Sequence, residues 1–263
     1  MFRDYNGGLV MTKTKRLEKE VQDMIANDYG KIKAKILAEK YNCTLDQVYE
    51  VGRRYKLQQK QNLEVEIDEV MNQILLSGII GDGRIKYNGK YNAQYSECHS
   101  CEEFGYLEWK FNNLKDLTSR TVIYGKNTNY EDLKDAKEFS TLTTPSLIPY
   151  KEIYENKEEV ISRLNELGLL LHLLDDGCFH PYINNKNGRF TICTSHWTHE
   201  HRLLLIDKWK EETGISFHEL GIKRVEIGAS SSENQKLLNL ALKYLPKDLD
   251  IIKKKFGIIM NNG

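Results

Sequence analysis

Three aspartates stand where an apolar stretch gives way to glycine. Asp82 closes residues 75–83, LLSGIIGDG, and Asp175-Asp176 closes residues 169–177, LLLHLLDDG. Both stretches read as helices, and a helix C-terminus disfavours an anion by roughly 0.3–1 kcal/mol. Carboxylates placed there make sense beside a cation, and hard oxygen ligands suit Mg²⁺. If the two helices pack side by side, Asp82 and Asp176 meet at one end, where their repulsion raises a pKa unless a metal neutralises it. Such a site supports metal-assisted phosphodiester hydrolysis. The same residues also allow a plainer outcome, two buried helices whose last aspartates are solvated turn residues.

The elements around these acids read as two copies of one unit. Apolar helices over 70–83 and 160–177 come first. In the first, Ser77, Gly78 and Gly81 are small enough to let two helix backbones approach more closely than the usual 8–10 Å. A hairpin follows each helix: strands 84–91 and 93–100 around Asn88-Gly89, a type I′ turn pair, and strands 179–184 and 189–194 around Asn187-Gly188. Helices are expected over 107–117 and 200–213. Further strands are expected over 121–124, 139–142, 217–220 and 223–227. Each copy closes on an aliphatic-proline pair, Ile148-Pro149 and Leu245-Pro246. The offset from Asp82 to Asp176 is 94 residues and from Pro149 to Pro246 is 97, read from the numbering. Near-constant offsets at two landmarks indicate an internal duplication, as if a homodimer were fused into one chain.

Ahead of the copies, residues 12–60 hold 12 Lys/Arg and 7 Asp/Glu, while the whole chain balances 38 against 38. The local excess marks a separate basic module. Three short helices are expected, over 16–27, 32–41 and 45–56, with Thr44 as N-cap of the third. Leu45, Val48, Val51 and Tyr55 face inward, leaving Gln47, Arg53 and Arg54 outside. The pattern resembles a helix-turn-helix unit, whose second helix enters the DNA major groove; a helical cap or dimerisation unit has the same pattern. Residues 58–66 read as a polar linker.

The 263-residue chain is 40% hydrophobic and 29% charged, a composition that buries a core. It has no apolar run near the ~20 residues of a membrane span, and its first residues lack a secretory h-region. Five cysteines suggest reduced thiols, and a cytoplasmic location with the DNA is expected. Cys98-x-x-Cys101 has half-zinc-site spacing, but without a second cysteine pair it reads as ordinary strand and turn cysteines.

The two nonapeptides, correctly spaced, together with Leu107-Glu108-Trp109-Lys110 and Thr194-Ser195-His196-Trp197-Thr198 before helices, resemble the LAGLIDADG homing endonucleases of the single-chain, double-motif kind. The resemblance covers residues 67–256. It implies an α+β fold of two pseudo-symmetric αββαββα halves forming a saddle, at 67–150 and 158–256, after the helical module at 1–60. It implies a monomeric, Mg²⁺-dependent, site-specific endonuclease, tolerant of Mn²⁺, that cuts double-stranded DNA across the minor groove and leaves short 3′ overhangs. Asp82 and Asp176 are then the catalytic metal ligands, with Gly81 and Asp175 in the metal set. Family members place a lysine near each site. Lys253, in the run 253–255, is the expected match in copy two. Copy one lacks the usual lysine before Pro149, leaving Lys151 as a substitute and leaving room for nicking or unequal strand rates. Groove-facing strand residues should alternate: Arg84, Lys86, Asn88, Lys90 and Gln94, then His180, Tyr182, Asn184, Lys186 and Arg189. Arg reads guanine bidentately, and Asn or Gln reads adenine. A regulator that kept the fold and lost catalysis, and a maturase acting on intron RNA, are the competing functions. Retention of both acids favours the endonuclease.

Overall fold

The computed structural model describes residues 17–29, 34–55, 65–89, 92–118, 123–124, 136–182, 188–221 and 226–260. It divides into two compact units, residues 1–64 and 65–263.

In the first unit, α1 (Lys19–Asp28), α2 (Ala34–Lys40) and α3 (Leu45–Arg54) bury Ile25, Leu37, Val48 and Val51 against one another. Thr44 caps α3 as its residue type requires. Its hydroxyl accepts the Gln47 N–H at 3.2 Å, and the Gln47 side chain accepts the Thr44 N–H at 2.8 Å, a reciprocal capping box. Asn42 turns the chain between α2 and α3 with φ 47°, a left-handed conformation that asparagine tolerates.

The second unit carries the duplication in its topology. α4 (Glu69–Ile80), β1 (Gly83–Tyr87), β2 (Ala93–His99), α5 (Phe104–Asn113), β3 (Ile123–Tyr124), β4 (Lys137–Ser140) and α6 (Ile148–Glu152) form the first αββαββα half. After α7 (Lys157–Arg163), the order repeats in α8 (Glu166–Asp176), β5 (Gly177–Pro181), β6 (Gly188–Cys193), α9 (His199–Thr213), β7 (Phe217–Leu220), β8 (Glu226–Ala229) and α10 (Asn234–Tyr244), and α11 (Asp250–Met260) ends the fold. Both sheets are antiparallel and have the same strand order, β1-β2-β4-β3 and β5-β6-β8-β7. One continuous core runs through both halves, from Ile74, Leu75 and Leu76 of α4 to Leu169, Leu170 and Leu171 of α8. Because α4 and α8 are covered on nearly all sides, they read as apolar runs without a polar stripe.

Four local expectations need correction. Leu45, expected to face inward, is exposed at the start of α3, and Val48 and Val51 are buried on that helix's apolar face, with Tyr55 packed against them. The helix expected over 160–177 is two helices: Asn165 interrupts it and caps α8, its side chain accepting the Leu167 and Gly168 N–H groups. The unbroken apolar periodicity concealed that asparagine. Asn88-Gly89 is not a two-residue turn, since Tyr87 pairs with Ala93 and the Asn88 N–H donates to Asn92 O at 2.8 Å across a longer loop. Likewise Pro181 pairs with Gly188, so Gly188 lies in a strand rather than at a turn. Register follows burial of Ile85 with Tyr95 and of Phe179 with Phe190, not the local turn signal.

Of the small residues in α4, Gly81 meets the partner helix. A Cβ there would lie 3.1 Å from Asp175 Cβ. Gly78 faces the sheet instead, where a Cβ would fall 1.8 Å from the Tyr95 hydroxyl oxygen. At the opposite end of the helix pair, Gln73 Oε1 accepts the Asn165 N–H at 3.0 Å. The C-terminal helix also holds the first half: Asp250 accepts the Gly105 and Tyr106 N–H groups at 2.6 and 3.0 Å, capping α5.

Candidate active site

The ends of α4 and α8 bring their acids together. Burial, and next the facing Asp175 carboxylate, raise Asp82 to about 6, with Asp176 adding to the same effect. Asp82 remains 41% exposed at its side chain and Asp176 29%, so both are open to solvent. Asp175 differs. Its side chain is fully buried, and its oxygens accept from Lys110 Nζ at 2.8 and 2.9 Å and from the Tyr106 hydroxyl at 2.8 Å.

Lys110 is the centre of a buried ionic cluster. It also donates to Glu97, which accepts in addition from the Tyr95 hydroxyl and, at 2.7 Å, from His99 Nε2. His99 Nδ1 faces Glu103 at 3.2 Å and Asp82 at 3.7 Å. Burial would lower the Lys110 ammonium, but Asp175 and Glu97 outweigh it and raise it. Burial would likewise raise Glu97, yet Lys110 and His99 hold it at about 2. Burial pulls the His99 imidazole down, but hydrogen bonds to Glu103 and Glu97 lift it to about 10. His99 is therefore an imidazolium at neutral pH, with both ring nitrogens donating.

Sequence reasoning alone misses this cluster. Its one signal is spacing: Lys110 shares the stripe of Tyr106, Leu107 and Leu114, so it lies on the inward face of α5.

Among the described residues, one set of three metal-type ligands converges: Asp82, His99 and Asp175, with donor atoms within 4.8 Å of one another. Lys110 and Tyr106 already occupy Asp175, and Glu97 and Glu103 occupy His99. The donors left facing solvent are Asp82 and Asp176. Asp82, facing the Asp175 and Asp176 carboxylates, carries a charge that burial and these acids disfavour and a divalent cation relieves, so the donor chemistry fits such an ion. Gly81 lies in the same turn, against Asp175.

The expected lysines are placed differently. Lys253 is exposed on α11. Two residues on, Lys255 reaches the acid end instead, donating to the Gly177 carbonyl, and burial lowers its ammonium. The helical turn of α11 thus brings the last lysine of the run to this carbonyl, while Lys254 points to Glu102 and Glu103. Lys151 sits over the Tyr87 and Tyr154 rings, at 5.6 and 4.5 Å. Tyr87 ends β1 four residues beyond Gly83, about 13 Å along the strand from the acids.

The strand candidates alternate onto one face. Arg84 pairs with Ser96 and Lys86 with Gln94, and Arg84 and Lys86 point to solvent opposite the buried Ile85. Gln94 Nε2 donates to Thr141 O and Asn88 Nδ2 to Thr143. In the second sheet His180 pairs with Arg189, and Tyr182 is 45% exposed. Lys90, Asn184 and Lys186 lie outside the described residues. On α3, Arg53 and Arg54 both pair with Glu50, and Arg54 also donates to Gln22. No described helix is long and apolar enough to cross a membrane.

A family model described as the LAGLIDADG DNA endonuclease family matches residues 72–237. In structure the chain is similar to the homing endonuclease I-WcaI bound to its DNA recognition sequence. Identity is 14%, 76% of this chain and 90% of that one are covered, and the TM-score is 0.58. It is also similar to a mutant of I-SmaMI (13% identity, 72% and 92% covered, TM-score 0.43). A third is I-DmoI in complex with DNA and Ca (14%, 66% and 90%, TM-score 0.40). No curated protein matches the chain.

Proposed function

This chain belongs to the LAGLIDADG DNA endonuclease family, and from that premise we propose a site-specific, Mg²⁺-dependent homing endonuclease that cuts both strands of double-stranded DNA across the minor groove, leaving short 3′ overhangs. The observation that carries this reading is the meeting of Asp82 with Asp175-Asp176 at the ends of two packed helices, where donor atoms of Asp82 and Asp175 lie within 4.8 Å of each other. Asp82 and Asp176 would hold the ion, which supplies Lewis-acid stabilisation to phosphoryl transfer when bound. Arg84, Lys86 and Gln94, with His180, Tyr182 and Arg189, would meet the bases from the exposed strand faces. Lys255 takes the catalytic lysine's place in the second half, because its ammonium is the one of the run held at the acid end.

The test is cleavage of DNA carrying the uninterrupted insertion junction, with each strand followed separately in Mg²⁺ and in EDTA. Mg²⁺-dependent cutting at one position supports the endonuclease. Tight, salt-sensitive binding without cutting would make the chain a regulator, and binding to intron RNA alone would make it a maturase. The N-terminal helices add DNA contact through α3, so deleting residues 1–60 should weaken binding through lost effective concentration while cleavage at saturating protein persists. Loss of cleavage at saturation would overturn that role.

A further inference from the structure

His172 is the polar exception in LLLHLLDDG. It is fully buried in α8, and neither ring nitrogen has a hydrogen-bond partner. Its ring stacks on Trp197, with centroids 5.5 Å apart and planes 12° from parallel. Its Nε2 faces Asp176 Oδ2 at 3.4 Å, one helical turn on, where i and i+4 side chains share a face. The first half solves the same position otherwise. Gly78, four residues before Asp82, leaves room for the Tyr95 hydroxyl. The ladder equivalent of Tyr95 in the second half is Phe190, which has no hydroxyl. Each terminal acid nonetheless has a buried histidine beside it: His99 from β2 for Asp82, and His172 from α8 itself for Asp176.

We infer that His172 is a positioning residue for the second-half acid, its Nε2–H donating to Asp176 Oδ2 and fixing the carboxylate's orientation toward the ion and the scissile phosphate. This inference rests on the endonuclease reading and deepens it. An imidazole donates only from a nitrogen that carries a proton. Placed on Nδ1, that proton would have no acceptor, and the Nε2 lone pair would face the carboxylate oxygens. Placed on Nε2, it faces Asp176 Oδ2 at 3.4 Å. A leucine would fill the site without an orphaned nitrogen, so packing alone does not account for the histidine.

The test uses the full chain, unaltered and as His172→Phe and His172→Gln. Phenylalanine keeps the ring on Trp197 and removes both nitrogens; glutamine returns an amide donor near Nε2. Expected for His172→Phe are a melting temperature no lower than that of the unaltered chain, unchanged DNA binding, and at least a tenfold shift in the ratio of the two strand-cleavage rates. His172→Gln should restore most of that ratio. An unchanged ratio in His172→Phe, or equal slowing of both strands with a lowered melting temperature, would overturn the inference. Independently of cleavage, long-range ¹⁵N spectra of the histidine-labelled chain should show His172 protonated at Nε2, and protonation at Nδ1 would overturn it. If the unaltered chain cuts no DNA, the endonuclease reading fails, and the Nε2 result alone decides the His172–Asp176 contact.

Discussion

The two halves share a backbone plan and differ in what they bury. The ladders put Ile192 where Glu97 stands, Phe190 where Tyr95 stands and Thr194 where His99 stands. The same spacing along the next helix brings Leu205 to the place of Lys110, and both are fully buried. One half thus packs an ionic cluster where the other packs hydrocarbon. The cluster also crosses the pseudo-twofold axis, because Lys110 of the first half holds Asp175 of the second motif helix. The two halves repeat one topology but not its charges, and the charges obey a constraint of their own: a buried ion pair must be kept or lost as a set, since removing one partner strands the other.

The largest effect should fall on the acids the halves still share. Asp82→Asn or Asp176→Asn should lower double-strand cleavage on the order of a thousandfold, about 4 kcal/mol of transition-state stabilisation, with binding retained in a mobility-shift assay. Full activity in either variant would remove the paired-acid site.

Next comes the cluster itself. Lys110→Leu installs the second half's residue and leaves Glu97 and Asp175 buried without a cation, so a loss of about 3–5 kcal/mol is expected in urea unfolding. Adding Glu97→Ile should recover part of it. If Lys110→Leu were no worse than a typical core repacking, below about 1.5 kcal/mol, the two halves would be equivalent in energy and the contrast would collapse.

A smaller, pH-dependent difference belongs to His99. Its imidazole is lifted from 6.5 to about 10 in the folded chain. The native state therefore holds more protons than the unfolded state between those values, and stability falls as pH rises across that window. Exchanging it for the second-half residue, His99→Thr, should flatten the decline between pH 7 and 9.5 in urea midpoints. An unaltered slope would mean that His99 is not held as an imidazolium. Smallest, Tyr95→Phe copies Phe190 and deprives Glu97 of one donor, with an expected loss of about 1–3 kcal/mol, measured the same way. No measurable loss would show that the hydroxyl is dispensable to the cluster.

The repeat, the motif helices and the alternating strands were legible because each depends on local periodicity. Leu75, Leu76, Ile79 and Ile80 announce a buried helix by themselves, and Arg84, Ile85 and Lys86 announce a half-buried strand. Three consecutive lysines look alike in sequence, and only the angle of α11 brings Lys255 rather than Lys253 to the Gly177 carbonyl. The ionic cluster was missed for a different reason. Lys110 meets Asp175 from 65 residues away: its place on the apolar stripe of α5 marks it as inward-facing, but nothing local names its partner. Asn165 carried a capping residue's chemistry, but its place inside an apolar run hid the break.

The Asp250 cap on α5 bears on the order of events during synthesis. The first αββαββα half is complete in sequence by residue 152, yet the amides at the start of its central helix find their acceptor only in residue 250, and its buried lysine, already paired with Glu97, finds its second counter-ion only in residue 175. A nascent chain stopped after the first half would carry an uncapped helix and an ammonium short of one partner. The last cap and the second counter-ion of the first half thus arrive with residues of the second, so its packing is completed together with the second half rather than ahead of it.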